Sequence, residues 1–207
     1  MRICHVTPHL PPEQAANALL PFHLGQWAAA SGHEVAYVAH PPRRDASRRA
    51  ERPDAPGTVT WIPEHRLASA FSHGLKLDIV KGFVTIAKRA GPLIDSSDLV
   101  HLHSNGLLVE VCAWLAARKR KPTVLTLYGT EIWHYKPRRL FDLFTRAYHR
   151  AAHVTFYSQG LMNRAIELGL GRRDTTVVYP PVADAFLGDE LGIEEAREAL
   201  GLQGRHV

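Results

Sequence analysis

Short apolar runs, most of them rich in β-branched residues, alternate along the chain with longer stretches whose apolar positions repeat at helical spacing. The short runs are Arg2–Thr7, Glu34–Ala39, the weaker Thr58–Ile62, Asp98–His103, Thr123–Tyr128, His153–Ser158 and Thr175–Pro180. Their near-continuous apolar character is that of strands covered on both faces. Between them the spacing predicts helices over Ala15–Ser31, Leu75–Ala90, Leu107–Lys119, Arg138–Ala151 and Ser158–Leu168. The first stops at Gly32, the second at Gly91-Pro92, and the last opens on a Ser N-cap and closes at Gly169. In the second helix Leu75, Ile79, Phe83, Ile86 and Ala90 share one face. Such alternation predicts an α/β fold, a parallel sheet with helices on both faces. The Arg- and Pro-rich segment Pro41–Gly57 is a surface loop, and no internal repeat is visible.

Composition narrows this little. A chain of 207 residues, 45% hydrophobic and 22% charged, is long enough to bury a substantial core. No apolar run is long enough to span a bilayer and the first residues lack the layout of a signal peptide, so a cytoplasmic location is expected. Cys4 and Cys112 each lie in an apolar element without metal-ligand spacing and are expected to be reduced core residues. The net charge of +5 comes from clusters at "RRDASRRAER", Arg118–Lys121, Pro137–Arg139 and Gly171–Arg173. These are expected to be solvated loops and helix ends, with peripheral contact to an anionic membrane surface as the sharper reading. No nucleic acid is expected, because no aromatic interleaving or recognised motif accompanies the charge.

Chemistry gathers just after the strands. "PHLPPEQAAN", "HSNG", "YGTE" and "SQG" follow four of the apolar runs. Ligands of parallel α/β sheets bind beyond the carboxyl ends of the strands, so the four segments are expected to form one mouth. Other classes lack their signatures: no Gly-x-Ser-x-Gly or Cys-His pair for a hydrolase, and no Gly-x-Gly-x-x-Gly after the first strand for a dehydrogenase. None of the 13 histidines shows His-x-x-x-His with a supporting carboxylate, so no metal is expected.

The segments "WAAASGHEVAYVA", "DLVHLHSNG", "PTVLTLYGTEIW", "VTFYSQGLMNRAIELGL" and "TTVVYPPVADAF" resemble, in this order, the amino-terminal half of GT-B glycosyltransferases. They look most like the retaining enzymes of glycosyltransferase family 4, over Met1 to about Phe186. The resemblance implies a Rossmann-like acceptor-binding domain, 1–188. It also implies that 189–207 lead into a missing carboxyl-terminal donor-binding domain. The implied activity is transfer of a sugar from a nucleotide-sugar donor to a carbohydrate, lipid or small-molecule hydroxyl acceptor, with no cofactor. A non-catalytic sugar- or phosphate-binding module, an inverting transferase and a nucleotide-sugar epimerase of GT-B fold stay open beside it.

The resemblance also has departures. Ala15-Ala16 stand where the family has a Gly-Gly pair near the donor phosphates, and Tyr128 stands where many relatives have His. In "PPVAD" only Val182, Asp184 and Phe186 carry over. The expected catalytic residues are Tyr128 and Glu131. The expected acceptor-binding residues are His9, His103, Ser104, Asn105, Gly129, Thr130, Ser158 and Gln159, with Glu13, Ala15 and Ala16 in a donor-adjacent loop. Gly129 is expected to let backbone approach a ligand without a Cβ in the way. Glu131 could instead charge a helix start, and Ser158 could serve as a plain cap. His101 is assigned to the core, on the face opposite His103.

Overall fold

The computed structural model describes residues 1–42, 55–64, 75–136 and 142–180, with Glu195, Arg197, Glu198 and Gly201, and of 75–78 the backbone alone. Its strands are β1 (Arg2–Val6), β2 (Glu34–Ala39), β3 (Thr58–Trp61), β4 (Leu99–His103), β5 (Thr123–Leu127), β6 (His153–Phe156) and β7 (Thr175–Val177). Its helices are α1 (Ala16–Ala30), α2 (Leu75–Ser96), α3 (Leu107–Arg118), α4 (Thr130–Trp133), α5 (Leu143–Arg150) and α6 (Gln159–Ala165), the last continuing into a π-helical turn at Ile166–Leu170. The strands form one seven-stranded sheet in the order β3-β2-β1-β4-β5-β6-β7. Every pairing is parallel. The order reverses between β1 and β4, which makes the crevice at their carboxyl ends the topological switch point.

The two faces of the sheet differ in kind. On one, Cys4, Val6, Val100, Leu102, Leu125, Leu127, Val154 and Phe156 meet Ile86, Ala90 and Ile94 of α2, the apolar stripe of α3, Phe144 and Tyr148 of α5, and Leu161 of α6. This is the main core, and Cys4 and Cys112 are free thiols inside it. The other face carries a smaller cluster over β2, where Phe22 of α1 packs with Leu10, Val35, Tyr37 and Ala39. From β1 to β6 that face is polar: His5, His101, His103, Thr126 and Thr155 occupy it by register. Uniformly apolar strands on both faces were therefore the wrong expectation. The alternation of polar with apolar residues inside "HLH" and "LTL" marks the difference.

Helix boundaries depart from the pattern in two places. α2 runs through Gly91-Pro92 to Ser96. A proline inside a helix costs about 3 kcal/mol, and fully burying an isoleucine recovers about 1.5–3 kcal/mol. Ile94, at 0% exposure, sits in that last turn, and the Ser96 and Ser97 hydroxyls donate to Leu93 O. Ile79, expected on the packed face of this helix, is exposed. The helix expected at Arg138–Ala151 begins at Leu143, where the Asp142 carboxylate accepts from Thr145 N–H at 2.9 Å. Residues 137–141 lie outside the described residues.

The basic clusters are only partly solvated. Arg172 lies over the Tyr148 ring and donates to Tyr148 O and Ala151 O at 2.6 and 2.7 Å. Lys119 pairs with Asp95 at 2.7 Å. Most of the Pro41–Gly57 loop and the "PRR" cluster fall outside the described residues, as do Val182, Asp184 and Phe186. No helix among the described residues is long and apolar enough to cross a membrane.

Candidate active site at the switch point

Two turns build the mouth. After β4, Ser104 takes a left-handed backbone (φ 70°), unusual for a residue with a Cβ, while its N–H stays bonded to Thr126 O at 2.9 Å. Gly106 (φ 105°) then opens α3. Asn105 is thereby lifted out of the sheet at the tip of the turn. After β5, Gly129 has φ 157° and ψ −69°, and the four-residue α4 starts at once. The Glu131 carboxylate folds back to accept from Gly129 N–H at 2.8 Å and is buried. Glu131 therefore closes its own turn, while still edging a cleft. A Cβ on Gly129 would meet nothing nearer than the Trp133 ring at 3.7 Å. Glycine is required here by its positive φ, not by crowding from the chain itself.

Beneath the mouth lies a row of rings. Strand residues two apart share a face, so His101 and His103 stand side by side with ring centroids 4.0 Å apart. The assignment of His101 to the opposite face was an error of alternation. β1 is paired in register with β4, and this brings in His5, opposite His101. His5 Nδ1 lies 3.0 Å from His103 Nε2, and His103 Nδ1 lies 2.7 Å from the Tyr128 hydroxyl. Tyr157, just after β6, packs edge-on against Tyr128 with centroids 4.6 Å apart. His101 Nε2 turns instead to Thr126 Oγ1 at 2.7 Å, which in turn meets Thr155 Oγ1 at 2.7 Å.

His103 was expected to touch the acceptor. It is 0% exposed and both ring nitrogens are engaged, so it reaches the mouth only through Tyr128.

Burial sets the charge of this row. It holds His5 down to about 4. His101 and His103 are held well below the ordinary imidazole value by burial first and by the neighbouring imidazoles second. Burial, then the adjacent Tyr157, pushes the Tyr128 phenol well above its usual range. The row is uncharged at neutral pH; it can pass and orient hydrogen bonds but supplies no strong base. Histidine spacing along the chain gave no metal set, yet the fold does gather three imidazoles whose ligand nitrogens lie within 4.8 Å of one another.

Two clefts open on either side of Asn105. One, of about 270 Å³, is lined by His9, His40, Pro63, Glu64, Asn105 and Leu107. The other, of about 450 Å³, is lined by Asn105, Thr130, Glu131, His134, Lys136 and Asp142. His9, Asn105, Thr130 and Glu131 are thus brought together at the carboxyl end of the sheet's central strands, with Ser104 and Gly129 in the turns behind them. Glu13, Ala15, Ala16, Ser158 and Gln159 line neither cleft. Ala15 and Ala16 form the exposed start of α1. Ser158 caps α6 by accepting from Leu161 N–H at 3.2 Å, and Gln159 donates to Asn163 at 2.9 Å. Sequence reasoning missed His5, Tyr157, His40 and Glu64. For His5 a signal existed, since a histidine two residues before the end of an apolar first strand must share a face with Thr7.

Residues 22–186 match the family model described as Glycosyltransferase Family 4. No curated protein matches the chain. Among solved structures it is similar in fold to the UDP-GlcNAc 2-epimerase from Neisseria meningitidis bound to UDP-GlcNAc, with TM-score 0.55 and 12% identity over 98% of this chain and 50% of that one. It is also similar to CalG4, the calicheamicin glycosyltransferase, with TM-score 0.54 and 15% identity over 88% and 53%. MurG from Acinetobacter baumannii gives TM-score 0.54 and 9% identity over 88% and 46%. The chain spans about half the length of these structures.

Proposed function

Since the chain belongs to glycosyltransferase family 4, we propose that it carries the acceptor side of an enzyme that moves a sugar from a nucleotide-sugar donor to a hydroxyl acceptor with retention of configuration. Its fold is the Rossmann-like amino-terminal half of a GT-B architecture. The observation that carries the reading is the convergence at the switch point. Within the matched residues, the ends of neighbouring β4 and β5 are joined by the His103–Tyr128 hydrogen bond, with open clefts on both sides of Asn105.

In the proposed front-side step the acceptor oxygen bonds to the anomeric carbon on the face from which the phosphate departs. The electron pair of the breaking bond goes to the phosphate oxygen, which also takes the acceptor's proton. Such chemistry asks the protein for positioning and for stabilisation of the leaving charge rather than for a base, and the uncharged ring row suits it. Asn105, His9 and Thr130 are the groups placed to orient the acceptor, while Tyr128 lines neither cleft and bears on them through the turn that follows it. The donor's phosphates would be gripped by a carboxyl-terminal domain. The reading assigns no metal or cofactor to the reaction, and places it at the cytoplasmic side, with basic residues offering contact to an anionic membrane surface.

The test is incubation of the full gene product with a panel of nucleotide sugars and hydroxyl acceptors, with products followed by mass spectrometry and anomeric NMR couplings. A new glycoside of the donor's own anomeric configuration supports the proposal. An inverted glycoside, an epimerised sugar formed without acceptor, or saturable binding with no donor consumed would each replace it with a different reading.

A further inference from the structure

Among the described buried side-chain nitrogens and oxygens, His5 Nε2 alone has no hydrogen-bond partner. That orphan bears on where the protons sit in the ring row. Between His5 Nδ1 and His103 Nε2 there is one proton, and either ring can own it. If His103 owned it, neutral His5 would carry its own proton on Nε2, a buried N–H facing no acceptor. If His5 owns it, Nε2 is a bare lone pair. Buried donors without partners are rarer in folded proteins than under-used acceptors. His5 therefore donates to His103 Nε2. Neutral His103 then holds its proton on Nδ1 and donates it to the Tyr128 oxygen at 2.7 Å.

We infer that the His5–His103–Tyr128 relay has a single polarity: both imidazoles are protonated on Nδ1, and Tyr128 turns its own hydroxyl proton outward as a donor, with His5 the positioning residue behind it. Ring geometry agrees. The His5 and His103 planes are 23° apart, and their centroids are 5.3 Å apart, close to the longest separation that a 3.0 Å contact between two five-membered rings permits. The bond thus runs nearly in line within both rings. The His103 and Tyr128 planes differ by 18°. Burial keeps both imidazoles neutral, as the relay requires. The same geometry disfavours a metal among the three histidines. Two zinc–nitrogen bonds of about 2 Å each cannot lie in line across 3.0 Å.

Within the chain the Tyr157 hydroxyl, which interacts with that of Tyr128, can take the outward proton. At the mouth the counterpart is an oxygen with a free lone pair, on a sugar or a phosphate. Only that last identification rests on the transferase reading; the polarity stands on the ring row itself.

Long-range proton–nitrogen NMR of the nitrogen-15-labelled protein at neutral pH reports the tautomer of each imidazole from the separation of its two nitrogen shifts. We expect His5 and His103 both as Nδ1–H tautomers. In His5→Phe, which keeps a ring beside Tyr37 but removes the donor, His103 should shift toward a tautomer mixture. In Tyr128→Phe the His103 Nδ1 resonance should move while His5 keeps its tautomer. His103 protonated on Nε2 in the wild type, or unchanged in His5→Phe, overturns the inference. So does a stoichiometric shift of all three imidazoles on adding Zn²⁺ alone. Should His5→Phe fail to fold, the wild-type and Tyr128→Phe spectra decide.

Discussion

Burial lets His5 stay neutral in the fold down to about pH 4, whereas in the unfolded chain it protonates below its ordinary 6.5. Its contribution to stability is complete above about pH 6.5 and is lost as pH falls toward 4, amounting to about 3 kcal/mol. His101 and His103 act in the same direction. The denaturation midpoint should therefore drop through this window, and drop less in His5→Phe; equal pH profiles for the two proteins would contradict the assignment. At Tyr128 the hydroxyl is held inside the ring row by His103. Tyr128→Phe keeps the ring but strands His103 Nδ1, so it should lose about 1–3 kcal/mol of stability in urea titration as well as any ligand contact. In transfer, loss of one neutral hydrogen bond should lower activity by up to about tenfold. A larger drop would mean that the phenol meets developing charge.

At the scale of elements, the ring row depends on how α1 seats on β2. Gly25 faces Tyr37, and a Cβ there would lie 1.7 Å from the Tyr37 oxygen and 3.2 Å from Val35 Cγ1. Tyr37 has little room to yield, because it is fully buried, stacks on His5 and donates to Phe22 O. Helix propensity alone would make Gly25→Ala stabilising by about 1 kcal/mol. Overpacking of this kind typically costs 1–3 kcal/mol, so the expected net change in thermal unfolding is a loss. A raised melting temperature would show that α1 can lift away without disturbing the face beneath it.

For the whole molecule, the seven parallel strands grade from a buried centre to thin edges. β4 lies between β1 and β5 and carries the ring row on one face and the main core on the other, whereas β3 and β7 are short and only half-buried. Local opening should follow that gradient. In native-state hydrogen exchange the amides of Val100–His103 and Leu125–Leu127 are expected to be the slowest, and those of Thr58–Trp61 and Thr175–Val177 to exchange well before them. Equal protection across the sheet would contradict this gradient.

Periodicity and strand-end chemistry were local, and the sequence by itself therefore carried them. The strand and helix alternation, the parallel sheet, the mouth at the ends of β4 and β5, and the candidates Asn105, Thr130 and Glu131 all follow from neighbours within about one turn or one strand. What the sequence could not supply depended on register between distant segments. That β1 pairs beside β4 brings His5 to His103 across 98 positions of chain. This pairing turned an expected ligand-contacting histidine into a buried link, and gave Tyr128 its partner. Packing decided the remainder. Burial of Ile94 offsets much of the cost of running α2 through a proline, and between the two readings open for Glu131 the unsatisfied Gly129 N–H selected the inward, turn-closing one.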